Sequence, residues 1–248
     1  MTEDDRDWLA RRGTAYEISE GLRSSIRSLV EDVRERGDAA LVEALATFDG
    51  VEVDPGGLRV GPDEFAHAEE ALEPEVRVAI RQMIANIRSF NEALHERRGS
   101  WEAEIAPGHV VGEKIGPVAS AALFCPSGKA SYPSVLAQIA TPAVVAGVPQ
   151  ISVIVPPVPG GSGEIDPAVL VVARELGLES VFRVNGPAGV AAAAFGTASI
   201  PAHGMVIGPG SPPVALAQLE VRAHGIDSVV LGPTESLVVA DDSADPEL

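Results

Sequence analysis

Through the first hundred residues, apolar side chains recur every three or four positions, which is the spacing of helices that bury one face. Ile26, Val30 and Val33 form one such stripe, and a longer stripe with arginines on the opposite side runs from Val76 to Leu94. No polar groups gather along these stripes. We therefore interpret the helices as packing and oligomer surfaces rather than as a ligand site.

From about Val118 onward, short apolar runs alternate with amphipathic stretches. The runs predict strands at Ala119–Phe124, Ile151–Val155, Ser180–Val184, Met205–Ile207, Ser228–Leu231 and Leu237–Ala240. The stretches between them predict helices at Ser134–Ala146, Pro167–Leu176, Pro187–Phe195 and Pro213–His224. Strands that alternate with helices in this way form parallel βαβ units and a doubly wound sheet.

The two patterns together predict an α/β fold, with a helical N-terminal region and a doubly wound, mostly parallel, Rossmann-like sheet. Residues 1–117 are expected to pack on the sheet and to offer a dimer surface. Residues 118–248 are expected to form the Rossmann-like domain, unless both regions share one domain. Because ligands of such sheets bind where the strands end and the strand order reverses, the loops after the predicted strands are the places to search for a site.

The loop after the first of these strands carries the first candidate chemistry. The strand runs into the Pro/Gly loop CPSGKASYP, which holds Lys129, and then into a helix. Amide N–H groups and the positive end of that helix, with the Lys129 ammonium beside them, suit an anionic ligand such as a nucleotide or a carboxylate. The spacing lacks the first glycine and the Ser/Thr of a phosphate-binding P-loop, so a P-loop is not predicted. The alternative is a surface turn with a solvated lysine.

The net charge of the chain disfavours some classes of binding partner. Its 36 acidic residues outnumber its 18 basic residues and give a formal charge of −18, which repels nucleic acid and anionic lipid surfaces. No run of about 18 apolar residues is present, and the chain opens with acidic residues rather than with a signal peptide, so we expect a cytoplasmic protein. Cys125 is the only cysteine, which rules out an intrachain disulfide and a multi-cysteine zinc site.

Several blocks of sequence carry a more specific signal than any single loop. In chain order they read DVRERGDAALVEALATFDGVE at Asp32–Glu52, CPSGKASYPSVL at Cys125–Leu136, TPAVVAGV, NGPAGVAAAAFGTASIP, IGPGS and GPTESLVVADDSADP. Through these blocks nearly the whole chain resembles the histidinol dehydrogenase family. The resemblance implies two NAD-dependent steps that oxidise an amino alcohol to an amino acid, with a zinc ion that holds the substrate and a Glu-His pair as acid and base.

The resemblance also implies that the zinc ligands and the Glu-His pair lie C-terminal to Leu248. The chain is therefore expected to match the N-terminal, nucleotide-binding half of the family, as a truncated paralogue. Its five histidines include no HxxH or HxxxH pair, and no zinc site is expected within it.

The candidate catalytic residues are Lys129, Thr234 and Glu235. Thr234 falls where a serine of the family touches substrate, and the alternative is that Thr234 and Glu235 cap a turn.

The same resemblance implies an NAD site, which we expect to be weakened in this chain. Phe124 stands where the family usually has tyrosine, Ala188 where it has a cofactor-contacting glutamine, and Ser211 where it has asparagine. Each lost hydrogen bond costs about 1 kcal/mol, so NAD affinity should fall several-fold to about a hundredfold. The candidate cofactor-binding residues are Phe124, Ser127, Gly128, Lys129, Tyr132, Ala188 and Ser211.

The sequence leaves three functions open. The chain can be a histidinol dehydrogenase-like, NAD-binding protein that does not oxidise histidinol alone. It can be a zinc-independent cyclase, isomerase or lyase that acts on a small anionic or amino-acid-like substrate in a biosynthetic pathway; the changed cofactor positions and the retained Lys129, Tyr132 and Thr234 favour this alternative. It can also be a non-catalytic partner of a full-length homologue. The apolar stripes of the N-terminal third favour a homodimer or higher oligomer.

Overall fold

A computed structural model describes residues 18–127 and 132–228, together with residues 239, 241 and 244. The helices are α1 (Glu20–Arg36), α2 (Asp38–Ala44), α3 (Pro62–Ala71), α4 (Pro74–Glu96), α5 (Pro133–Val145), α6 (Pro167–Glu175), α7 (Gly186–Phe195) and α8 (Pro212–Arg222). The strands are β1 (Trp101–Ala106), β2 (His109–Glu113), β3 (Ser120–Phe124), β4 (Gln150–Val155), β5 (Val181–Arg183), β6 (Met205–Ile207) and β7 (Asp227–Ser228). A π-helical turn at Leu45–Asp49 continues α2, and a 3-10 turn covers Pro55–Gly57.

Strands β3 to β7 form one parallel sheet in the order β5-β4-β3-β6-β7. The predicted α/β fold with a doubly wound sheet is confirmed. The chain first adds strands to one side of β3 and then returns to add β6 and β7 on the other side, so the order reverses between β3 and β6. The predicted strand at Leu237–Ala240 falls, except for residue 239, outside the described residues.

The apolar side chains of the sheet belong to two hydrophobic cores, because successive residues of a strand point to opposite faces. On one face Ala122 and Phe124 of β3 pack with α1, α2, α7 and α8. On the other face Ala121 and Leu123 pack with α3, α4, α5 and α6. Each core thus combines helices from the N-terminal region with helices from the βαβ units, and residues 18–228 lie in one unit.

Helix α7, with the sequence GPAGVAAAAF, is built of small residues and is almost wholly buried. It contacts α1, α2 and α8 as well as strands β3, β4 and β6. A Cβ atom at Gly189 would lie 2.4 Å from Cγ2 of Ile154 on β4. Small side chains therefore let α7 approach the sheet closely, in an interior that leaves no room for larger ones.

A short segment, residues 58–60, hydrogen-bonds along the outer edge of β5. Arg59 pairs antiparallel with Phe182, so the backbone of β5 is not left open on that side. Arg183, a residue that is only 7% exposed, forms an ion pair with Glu64 of α3. The ion pair joins α3 to the carboxyl end of β5. Loss of the Glu64 carboxylate would leave the buried charge of Arg183 uncompensated, which is strongly destabilising.

The antiparallel hairpin of β1 and β2 departs from the expectation of helices followed directly by parallel strands. The strands turn at Pro107 and Gly108, and Gly108 takes a positive φ of 78° that glycine adopts readily. All residues of both strands are exposed, so the hairpin lacks the buried face that makes a strand easy to recognise in sequence.

Gly189→Ala tests the close approach of α7 to the sheet. The added methyl group meets Ile154, so we expect the free energy of unfolding to fall by about 1–3 kcal/mol, the usual cost of overpacking. Gly21→Ala in α1 is the matched control, because a Cβ there has nothing within 4 Å and alanine is the better helix former. Thermal melts compare the two; a parent-like melting temperature for Gly189→Ala would contradict the close contact.

Candidate functional site

A cleft of about 420 Å³ lies at the carboxyl ends of the parallel strands, where the strand order reverses. Its lining residues are Asp49, Phe124, Pro126, Ser127, Tyr132, Pro156, Asn185, Gly186, Pro187, Pro209, Gly210, Ser211 and Val214. Loops after β3, β4, β5 and β6 all contribute, and one further residue comes from the π-helical turn. The volume is within the range of small-molecule sites, about 300–1,000 Å³.

Two glycines allow the loops to meet at the wall that Phe124 forms. Gly208 has a φ of 145°, and a Cβ there would lie 2.0 Å from the Phe124 carbonyl oxygen. A Cβ at Gly186 would lie 3.3 Å from Cζ of the Phe124 ring. The buried Gln218 donates from Nε2 to the Gly208 carbonyl at 3.0 Å and holds this loop in place. The Phe124 ring is therefore an apolar wall of the cleft that packs against the first residue of α7.

Ser127 and Tyr132 flank residues 128–131, and both line the cleft. Ser127 Oγ donates to the Pro157 carbonyl at 3.3 Å, which ties the loop after β3 to the loop after β4. Cys125 is buried behind them, with its Sγ 3.6 Å from the Tyr132 carbonyl oxygen. Burial raises the pKa of the Cys125 thiol to about 12, so the thiolate needed for nucleophilic chemistry does not form at neutral pH.

Three helices, α5, α7 and α8, begin at the cleft, and each has proline in its first turn. Proline has no N–H group, so it removes a donor that an anion could use. In α8 both Pro212 and Pro213 lack this donor, whereas in α7 Gly186 and Ala188 keep theirs. The start of α7 is therefore better suited to an anionic group than the start of α8.

Asp49 lines the cleft, and it falls within the block Asp32–Glu52 that carries the family resemblance, although the sequence predicts no role for it. It lies at the end of the π-helical turn, and Asn185 Nδ2 donates to its Oδ2 at 2.9 Å. Burial raises the pKa of the Asp49 carboxyl, and the hydrogen bond from Asn185 opposes part of this rise. Apart from that block, the local signal is the Asp-Gly dipeptide at residues 49–50, which marks a turn but no function.

The structure brings together only some of the candidate residues. Those that line the cleft are Phe124, Ser127, Tyr132 and Ser211. Ala188 is fully buried inside α7 and does not line the cleft. The candidates that lie outside the described residues are Gly128, Lys129, Thr234 and Glu235.

The part of the chain that the structure describes contains neither a group of metal ligands nor a membrane-spanning helix. There, no three side chains of the types His, Cys, Asp and Glu are grouped so that they could hold a metal ion. Within the same residues, no helix combines the length and apolar character needed to cross a membrane.

A larger groove, of about 600 Å³, lies at the amino end of β5 and includes Arg59, Phe65, Arg174 and Glu179 in its lining. Arg174 is already paired with Glu69, at 2.9 Å. Ligands of open parallel sheets bind at the carboxyl ends of the strands, and this groove is at the other end. We therefore take the smaller, switch-point cleft as the candidate site.

The sheet order and the position of the cleft define a doubly wound α/β protein with a cleft at its switch point. The family model described as histidinol dehydrogenase matches residues 13–248. The chain thus belongs to the histidinol dehydrogenase family, and the resemblance found in its sequence is confirmed.

Individual relatives agree with this assignment. The chain is 38% identical to a histidinol dehydrogenase of Rhizobium meliloti (strain 1021), over 99% of this chain and 56% of the relative. It is 39% identical to histidinol dehydrogenase homolog 2 of Mesorhizobium japonicum, over 89% of this chain and 49% of the relative. A crystal structure of histidinol dehydrogenase from Elizabethkingia anophelis superposes with a TM-score of 0.85 at 27% identity, over 98% of this chain and 55% of that chain. The chain spans about half the length of the curated relatives it matches.

The Cys125 thiol offers a test of how tightly the base of the cleft is packed. Because its pKa is raised to about 12, we expect almost no reaction of the folded chain with a thiol reagent at pH 8, and one full equivalent after unfolding in guanidinium. The neutral thiol is the form that folding favours, so its contribution to stability is complete below the unfolded pKa, about 8.5, and is lost as the pH rises toward 12. Rapid labelling of the folded chain would contradict this packing.

Proposed function

We propose that the chain binds NAD in the switch-point cleft and serves as the cofactor-binding part of an NAD-linked oxidation of an amino alcohol. The position of the cleft is the observation that carries the proposal, since dinucleotides bind at the reversal point of doubly wound sheets. The Phe124 wall, the hydroxyls of Ser127 and Tyr132, and the open amide groups at the start of α7 support it. Membership of the histidinol dehydrogenase family supports it independently.

NAD binding is proposed to be weak. Ala188 is buried and offers no polar side chain, and Ser211 replaces a longer amide with a hydroxyl. The prolines that open α8 remove two further donors from the cleft. Each of these changes removes hydrogen bonds and leaves the apolar contacts of the Phe124 wall in place.

We also propose that residues 1–248 alone do not oxidise histidinol. The family resemblance assigns the zinc ligands and the acid/base pair to sequence beyond residue 248, and the described residues offer no ligand group for a metal. The reaction would then need the remainder of a family member, in the same chain or from a partner.

A second candidate function is a zinc-independent cyclase, isomerase or lyase that uses the same cleft for a small anionic or amino-acid-like substrate. The prolines of α8 and the buried Ala188 favour it, since both reduce the polar contacts available to a dinucleotide. This function predicts that NAD does not bind.

Titration calorimetry with NAD, paired with an NADH absorbance assay on histidinol and zinc, tests these proposals. We expect measurable NAD binding and no NADH formation.

Lys129→Ala should weaken NAD binding by about 1–3 kcal/mol, the usual loss for a charged hydrogen-bond partner. Lys114→Ala, at the chain's other lysine, removes the same charge outside the cleft and should leave the affinity unchanged. Absence of NAD binding would favour the second candidate, and zinc-dependent NADH formation would refute the claim that residues 1–248 alone do not oxidise histidinol.

We propose that the chain forms a homodimer through the β1–β2 hairpin and α4. Both carry large exposed apolar side chains: Ile105 and Phe90 are each 68% exposed, and Val110 is 60% exposed. A two-stranded hairpin is marginally stable in water by itself, so a second copy packed on it would stabilise it.

Sedimentation equilibrium tests the proposed dimer. We expect the parent chain to be dimeric at micromolar concentration and Ile105→Asp to shift it toward the monomer, because a carboxylate would be buried in the interface. A monomeric parent chain would contradict the proposal.

A further inference from the structure

Among the described residues that line the switch-point cleft, Asp49 is the only one with a carboxylate. Its Oδ2 accepts the hydrogen bond from Asn185, while its Oδ1 has no hydrogen-bond partner among the residues that the structure describes. A half-buried carboxylate with a free oxygen on a cleft wall is equipped to accept hydrogen bonds from a ligand. It also disfavours a phosphate group placed next to it.

The side-chain amide of Asn185 forms a hydrogen bond to Asp49 and does not cap the helix that it precedes. Asn185 is the N-cap residue of α7, and asparagine at this position commonly accepts a hydrogen bond from the helix. Here its side chain makes no cap bond and donates to Asp49 instead. One residue thus orients the Asp49 carboxylate and leaves the first amides of α7 without a side-chain acceptor.

The place where a doubly wound fold usually carries its acidic residue is occupied by proline. In dinucleotide-binding sheets an Asp or Glu near the end of the second strand accepts hydrogen bonds from a ribose, and such an acid disfavours a 2′-phosphate. The second strand of this sheet is β4, and Pro156, Pro157 and Val158 follow it. Asp49 enters the same cleft from the N-terminal region and lines it together with Pro156.

We propose that Asp49, oriented by Asn185, accepts hydrogen bonds from the adenosine ribose hydroxyls of the ligand and makes the cleft select NAD over NADP. The inference rests on the proposed NAD-binding function. A ribose diol offers two neutral donors to the carboxylate, whereas the 2′-phosphate of NADP brings a like charge to the same place. Asp49 is thus a specificity-determining residue and Asn185 a positioning residue.

Titration calorimetry with NAD and with NADP on the purified 248-residue chain tests the inference. The parent chain should bind NAD tighter than NADP by about tenfold or more, and Asp49→Asn should weaken NAD by about tenfold and remove most of this preference. The substitution keeps the shape of the side chain and an acceptor oxygen for Asn185. Glu52→Gln is the matched control, because it removes one negative charge from an exposed position outside the cleft and should change neither affinity.

Asn185→Ser separates positioning from charge. It should weaken NAD binding by about two- to tenfold and leave the preference for NAD over NADP in place, because the carboxylate remains. Equal binding of NAD and NADP by the parent chain, or NAD binding that Asp49→Asn leaves unchanged in a folded variant, would overturn the inference while the proposed function stands. If the parent chain binds neither dinucleotide, the proposed function fails and the inference fails with it.

Discussion

The close contact between α7 and the sheet is the constraint on which the rest of the structure depends. The helix is buried on nearly all sides, and Gly189 leaves space for Ile154 of β4. Helices α1 and α2 contact α7 directly, so the N-terminal region can pack on this face of the fold only if the side chains of α7 are small. The same packing fixes the first residue of α7 against the Phe124 ring, so a requirement of the core also sets one wall of the cleft.

The cleft itself balances helix stability against ligand binding. Proline in the first turn of a helix has the backbone angle that the helix needs, and it stabilises the start of the helix without loss of an internal hydrogen bond. At α8 two consecutive prolines stabilise the start of the helix in this way, but they also remove two N–H groups that could donate to an anion. The remaining amides at the start of α7 follow Asn185, which is bonded to the Asp49 carboxylate, so by our proposal Lys129 would provide most of the attraction for an anionic group on a chain of charge −18.

The parallel sheet could be predicted from sequence because β3, β4 and β6 lie within short, largely apolar runs, which are typical of strands buried on both faces. Met205–Ile207 agrees with the prediction at both ends, and the other described strands begin within a residue of it. The β1–β2 hairpin could not be found in this way, because its exposed strands carry no core-facing stripe. The fold class follows from patterns that repeat along the chain.

The candidate site was harder to predict, since its contacts join residues that are distant in sequence. Phe124, Ser127, Tyr132 and Ser211 could be predicted from sequence, because they lie at the end of a strand of the sheet or in the loops that follow the strands. Asp49 and Asn185 are 136 positions apart, and the bond between them exists only because α2 packs on α7. No local pattern contains that information, and the Asp-Gly turn signal at Asp49 is common to many proteins.

A crystal structure of the chain with NAD would test the central claim, that the switch-point cleft is the nucleotide site, most directly. The account predicts the dinucleotide in this cleft, with the hydroxyls of its adenosine ribose within hydrogen-bonding distance of Asp49. It would be contradicted by NAD bound in the groove beside Arg59 at the opposite end of the sheet, or by a phosphate of NAD placed against the Asp49 carboxylate.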